Sequence, residues 1–237
     1  MAIRKFLTAK FVKRANYERQ ARAHRETLDF LRHLTDSRAE NFQDLWVLRE
    51  TNYKAGGFFV EFGATNGVDT SNTWLLEKKY GWKGILAEPN PHYQDKLLEN
   101  RNCFIDKRVV WNESGSTVEF LSMQEPYISV TKEDLVLQDN EKLRSAVSHE
   151  LRTVSLGDLL RHYKAPKKID FISIDVEGSE ERILKAFFKE GEYEVALLSV
   201  EHNWLDKSGS LLKLFLSQGY VNVFGEHSSR DYWFRKI

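Results

Sequence analysis

Five carboxylates and one histidine stand at or near the ends of apolar runs: Glu61, Glu88, Asp175, Glu177, Glu201 and His202. The runs themselves, residues 58–62, 84–87, 169–174 and 195–200, have the length and composition of buried strands. In an open α/β sheet the ligand lies beyond the carboxyl ends of the strands, so these side chains are expected on one rim. A carboxylate there can accept hydrogen bonds from ribose hydroxyls, take a proton from an acceptor or ligate a hard cation. An acid at one strand end is common by chance; four such ends together argue for a site.

The turn after the first run reads Gly63-Ala64-Thr65-Asn66-Gly67, and Glu88 follows Gly67 by 21 residues. Strand, glycine turn, helix, strand, acid is the nucleoside-binding half of such a sheet. Gly63 and Gly67 set the turn, with Ala64 and Asn66 inside it, so that backbone can approach a ligand. Glu88, followed by Pro89, is assigned to the ribose hydroxyls, against the alternative of an exposed strand-end acid. Dinucleotide sites favour G-x-G-x-x-G, which admits a pyrophosphate. The G-x-x-x-G spacing here favours a nucleoside without one, such as S-adenosylmethionine. Thr70 and Ser71 stand at the start of the next helix, where they can cap it or offer hydroxyls to the methionine carboxylate. Val109 and Val110 are placed by the fold to flank the adenine.

The strings VEFGATNG, SNTWLLEK, GWKGILAEPNP and IDFISIDVEGSEERIL resemble FkbM-type S-adenosylmethionine-dependent methyltransferases. The resemblance runs from about residue 42 to the C-terminus and leaves out the first forty residues. It implies a doubly wound, mostly parallel α/β sheet of seven strands, the Rossmann-like class I methyltransferase fold. It also implies that Glu61 lies near the methionine part of the cofactor, and that the acceptor is a hydroxyl of a small molecule, such as a sugar of a glycan or natural product.

Methyl transfer to an alcohol needs an in-line acceptor oxygen and removal of its proton. Two arrangements of the later strand ends meet that need. In one, His202 is the general base, oriented by Asp175 or Glu201. In the other, Asp175, Glu201 and Asn203 bind Mg²⁺, which holds and acidifies the hydroxyl. That second arrangement leans on analogy with metal-dependent methyltransferases of this general fold. A third reading is structural: helix capping and salt bridges along the rim, with residues 175–180 an acid-rich first turn. Tyr127, Trp204 and His227 are candidates for stacking on a polar ring. The other histidines lack zinc spacing, and no phosphate loop or nucleophile elbow is present.

The elements that must position these residues follow from periodicity. Helices are expected at 42–50, 73–79, 156–162, 180–188 and 210–218, and further strands at 102–111 and 115–121. Residues 220–224 and 232–236 should close the sheet as an antiparallel pair. Residues 126–150 are polar and weakly periodic and are expected as an insertion or lid. Residues 1–40 form a basic helical extension, with apolar residues at helical spacing near its two ends. It packs on the domain or on a second subunit as a homo-oligomer contact, lies on a membrane surface, or is partly disordered. Residues 41–237 form the methyltransferase domain.

The formal net charge is zero, which provides no field to recruit nucleic acid. One cysteine, Cys103, precludes an internal disulfide and suits a reducing compartment. No apolar run is long enough to span a membrane, and no signal-peptide core is present. A soluble cytoplasmic protein is the expectation. Two rivals remain: a nicotinamide-dependent oxidoreductase on the same sheet, and a non-catalytic partner-binding module.

Overall fold

The computed structural model describes residues 2–122, 129–134, 146–202, 206, 209–223 and 230–237. The chain runs α1 (Ala2–His33), α2 (Gln43–Glu50), β1 (Phe58–Phe62), α3 (Trp74–Tyr80), β2 (Lys83–Ala87), α4 (Gln94–Asn100), β3 (Phe104–Asp106), β4 (Val109–Trp111), β5 (Thr117–Ser122), β6 (Ser129–Thr131), β7 (Val147–Ser155), α5 (Leu156–His162), β8 (Lys168–Ile174), α6 (Glu180–Glu190), β9 (Glu194–Glu201), α7 (Ser210–Ser217), β10 (Tyr220–Asn222) and β11 (Asp231–Lys236).

Alternation along β1 explains the layers. Val60 and Phe62 point into one apolar cluster, with Leu159 of α5, Ile183 and Phe187 of α6 and Phe215 of α7. Phe59 points into the other, with Leu45 to Leu48 of α2, Leu75 and Leu76 of α3 and Leu97 of α4. A strand covered by helices on both faces belongs to a doubly wound sheet. Each fully buried Leu, Ile or Phe contributes roughly 1.5–3 kcal/mol relative to exposure.

The main sheet has seven strands in the order β10-β11-β9-β8-β1-β2-β3. β3, β2, β1, β8 and β9 are parallel; β11 runs antiparallel to β9 and to β10. The expected Rossmann-like sheet with a reversed terminal pair is therefore present. The chain order reverses direction at β1, so the crevice opens at the carboxyl ends of β1 and its neighbours.

Two expectations change. The single strand expected at 102–111 is two, β3 and β4, which enter different sheets. Asp106, tied to Arg108 by paired hydrogen bonds, marks the break between them. The segment expected as a lid is partly sheet. β7 pairs with β4 in parallel and with β5 antiparallel, and β6 pairs with β5. The weak periodicity of residues 147–152 has a physical cause, because that half of β7 is only partly covered. α4 was not expected from sequence; its only buried side chain is Leu97. Among the described residues no helix is long and apolar enough to cross a membrane.

Candidate active site

A cleft of about 750 Å³ lies at the carboxyl ends of the parallel strands. Its floor is built by β1 and the glycine turn. Gly63 has φ 74°, and a Cβ there would sit 2.4 Å from the Asp175 carbonyl oxygen. Only glycine lets β1 and β8 come that close. Thr65, at φ 45°, donates its backbone N–H to Glu88 Oε2 at 2.9 Å. Glu88 Oε1 accepts from the Asn90 backbone at 2.8 Å. Burial pushes the Glu88 carboxyl up to about 7, against those two N–H groups. Glu88, Pro89, Val109 and Val110 together line one end of the cleft.

β6 crosses above that end. Asn90 Nδ2 donates to Ser129 Oγ at 2.9 Å. Beyond it Thr131 donates to Asp134, which also receives Ser179 Oγ and Arg182. Ser129, Thr131 and Phe120 of the second sheet thus line the cleft.

The other end is acidic. Asp175, Glu177, Glu201 and Asp231 line it at the ends of β8, β9 and β11. Asp175 and Glu201 share a hydrogen bond. Desolvation and the neighbouring Asp175 charge push Glu201 well above the carboxylate range, so it keeps its proton. Desolvation also raises Asp175, to about 7, while the bond from Glu201 opposes the shift. Glu201 Oε2 is shut off from solvent and has no hydrogen-bond partner among the described residues. Ligand oxygens of Asp175, Glu177 and Glu201 lie within 4.8 Å of one another. Glu177 holds φ 60°, a strained setting for a non-glycine residue.

The sequence-predicted residues divide. Glu61, Gly63, Glu88, Pro89, Val109, Asp175 and Glu201 line the cleft. Ala64, Asn66, Gly67 and Ser71 do not. Ala64 is buried in the α2/α3 cluster. The Asn66 side chain closes its own turn, accepting from Val68 and Asp69. Gly67 has φ 78° and packs against Leu97 and Arg101. Ser71 Oγ accepts from the backbone of Thr73 and Trp74 at the start of α3 and donates to Glu61. Of its two expected roles it takes the structural one.

His202 is also outside the cleft lining. Its ring lies 4.2 Å from that of Tyr232, whereas the cross-strand partners Glu201 and Asp231 both line the cleft. Desolvation lowers the His202 pKa. Asn203, Trp204, Tyr127 and His227 lie outside the described residues.

Sequence reasoning missed Arg101, whose side chain is fully buried beneath the turn. It donates to Glu77 at 2.6 Å, to the Gly67 carbonyl and Ser71 at 3.0 Å, and to Thr73 at 2.8 Å. Glu61 lies 3.7 Å from it and accepts from Ser71, Thr73 and the Asn72 backbone. The Glu61 carboxylate is thus largely committed to holding α3. Sequence reasoning also missed Glu40, Asn41 and Gln43, which line the cleft from the segment between α1 and α2. No motif announces either group.

Residues 61–221 match the Methyltransferase FkbM domain. No curated protein matches the chain. Among solved structures, the precorrin-6y C5,15-methyltransferase of Geobacter metallireducens is 14% identical, with 81% of this chain and 84% of that one covered and a TM-score of 0.41. The N-terminal domain of human METTL16 is 12% identical over 80% and 65% of the two chains, at 0.37. A methyltransferase of Pyrococcus furiosus is 11% identical over 81% of each, at 0.36.

Proposed function

This chain belongs to the FkbM methyltransferase family, and we propose that it transfers a methyl group from S-adenosylmethionine to a hydroxyl of a small molecule, a sugar of a glycan or natural product. The observation that carries the hydroxyl acceptor is the Asp175–Glu201 pair in the cleft. An alcohol must lose its proton as it is methylated, and a carboxylate held near 7 is matched to that task at neutral pH.

S-adenosylmethionine supplies, when bound, an electrophilic methyl on a sulfonium that leaves as a neutral thioether. The chain's own residues supply the rest. Glu88 accepts hydrogen bonds from the ribose hydroxyls. Pro89, Val109 and Val110 flank the base. Asp175 takes the proton from the acceptor hydroxyl as the new oxygen–carbon bond forms. Glu201, protonated, orients Asp175 by its hydrogen bond. The described lining residues include seven carboxylates, Glu40, Glu61, Glu88, Asp175, Glu177, Glu201 and Asp231, and one cation, Arg230. That balance disfavours a phosphodiester acceptor such as nucleic acid and suits a neutral polyol.

A second reading rests on the close approach of the Asp175, Glu177 and Glu201 oxygens. These three residues would hold Mg²⁺, whose preference for oxygen ligands they meet, and would thereby place the acceptor hydroxyl beside a Lewis acid. Methyl transfer lost to a chelator and restored by Mg²⁺ selects this reading; transfer indifferent to chelation selects Asp175 as base.

The test of the cofactor comes first: calorimetric titration with S-adenosylhomocysteine, repeated on Glu88→Ala. The expected result is micromolar binding by the wild type and a loss of roughly tenfold or more in the variant. A folded wild type that ignores millimolar ligand overturns the reading.

A further inference from the structure

The segment joining α1 to α2 is tied down at both of its sides. Ala39 forms a parallel bridge with Thr70, just past the glycine turn. Gln43, buried, donates from Nε2 to Asp231 Oδ2 at 2.5 Å. Its Oε1 accepts the Asn41 backbone at 3.0 Å, so both ends of the amide are used. Phe42 between them takes φ 61°. Behind it Ser37 donates to the buried Asp44 at 2.6 Å. The strap therefore reaches from the end of β1 to the start of β11, and β8 and β9 lie between those strands. Glu40, Asn41 and Gln43 face the cleft from it, and Arg230 and Asp231 face it from the β11 side. All five lie outside the matched domain segment, residues 61–221.

Direction follows from the sheet order. A nucleoside with its ribose on Glu88, and its base against Pro89, Val109 and Val110, occupies the β2 end. Its 5′ substituent must then run toward β8, β9 and β11, beneath the strap. In S-adenosylmethionine that substituent ends in an ammonium and a carboxylate. Resting on the cofactor reading above, we propose that residues 39–43, clasped to Asp231 through Gln43, form the wall that receives the cofactor's amino-acid tail, with Glu40 facing the ammonium and Arg230 the carboxylate. Glu40 and Arg230 are binding residues. Gln43 is a positioning residue, since its amide is spent on the clasp.

Two ligands separate the tail from the nucleoside: S-adenosylhomocysteine, and 5′-methylthioadenosine, which keeps the adenosine and sulfur but lacks the amino acid. Both are titrated into the full-length wild type, Glu40→Gln and Gln43→Leu, with melting temperatures recorded. The expected result is a roughly five- to tenfold loss of S-adenosylhomocysteine affinity in each variant, with methylthioadenosine affinity unchanged within about twofold. Arg230→Met should behave as Glu40→Gln. Equal weakening of both ligands, or wild-type affinity for both in Glu40→Gln, overturns the assignment. Glu40 is exposed, so its variant keeps the test alive if Gln43→Leu does not fold. A wild type that binds neither ligand sinks the cofactor reading instead, which is a distinct outcome.

Discussion

At the scale of single residues, the strand-end acids divide by what surrounds them. Glu61 is enclosed by Ser71, Thr73 and Arg101 and is a structural anchor at the cleft floor. Asp175 opens onto the cleft with other acids around it, and desolvation by its neighbours together with the Glu177 charge raises its carboxyl to about 7. Replacing Asp175 by Asn should lower methyl transfer roughly 10²–10⁴-fold while leaving S-adenosylhomocysteine binding intact. The same change should stabilise the fold slightly, the gain being small because Asp175 is exposed to the water of the cleft and its charge is screened. Asp175 has an ordinary value of 3.8 and is raised to about 7. A group raised on folding adds stability that is complete below its unfolded value and lost as pH climbs through the folded one. Asn has no such loss, so its melting-temperature advantage should grow from pH 5 to pH 8. A flat difference would show that Asp175 is not strained by its charge. In the wild type, methyl transfer should rise with pH through an apparent value near 7, a property of the Asp175–Glu201 pair together. These acids were legible in the sequence because each lies at or near the end of an apolar run. Which of them faces the cleft was not, since the partners of Glu61 and the packing of His202 on Tyr232 depend on neighbouring strands.

At the scale of elements, the glycine turn is held from below by a residue with no motif. Arg101 follows α4 and bonds to the turn through the Gly67 carbonyl and to α3 through Glu77 and Thr73. Although burial pushes Glu77 up, Arg101 holds it below the ordinary carboxylate value. Removing one partner of a buried ionic set leaves the others uncompensated, at a cost of roughly 3–5 kcal/mol. Arg101→Met should lower the melting temperature by about 10 °C. Adding Glu61→Gln should recover part of that, with a coupling of at least about 1 kcal/mol in a double-mutant cycle; strict additivity would deny that the pair acts together. Gly63→Ala tests the close strand crossing directly. The added methyl meets the Asp175 carbonyl at positive φ, so the variant should lose both stability and S-adenosylhomocysteine affinity. Wild-type binding by Gly63→Ala would show that the turn has slack. The turn was visible in the sequence because glycine spacing is local. Arg101 was invisible because its partners, Glu61 to Glu77, lie 24 or more residues away.

At the scale of the whole molecule, the segment around residue 40 is joined to the body by the Ala39–Thr70 bridge and the Gln43–Asp231 hydrogen bond. Among the described residues the first buried apolar side chain is Ala39, and the strap that follows is part of the cleft wall. Helix α1 is different. Tyr17, Leu28 and Leu31 are exposed on it. Its last turn touches the body through His33 on the Tyr80 hydroxyl at 2.7 Å, and the turn just beyond it through Asp36 on Lys79 at 2.6 Å. The described side chains of α1, from residue 14 onward, are mostly exposed and add little burial to the domain, and an isolated helix has modest stability. A variant beginning at residue 28 should therefore keep its melting temperature within about 3 °C and bind S-adenosylhomocysteine as the full chain does. A variant beginning at residue 44 removes Gln43 and leaves Asp231 without its clasp. That one should lose most S-adenosylhomocysteine affinity even if its sheet still forms. Sedimentation of the two shortened chains beside the full one also reports on the exposed face of α1: an oligomer that dissolves when residues 1–27 are removed assigns that face to self-association, while a mass unchanged from full length to residue 28 denies it. If the residue-28 variant instead loses the ligand while the mass stays constant, α1 itself is needed to hold the strap, and the functional unit starts at the first helix rather than at the strap.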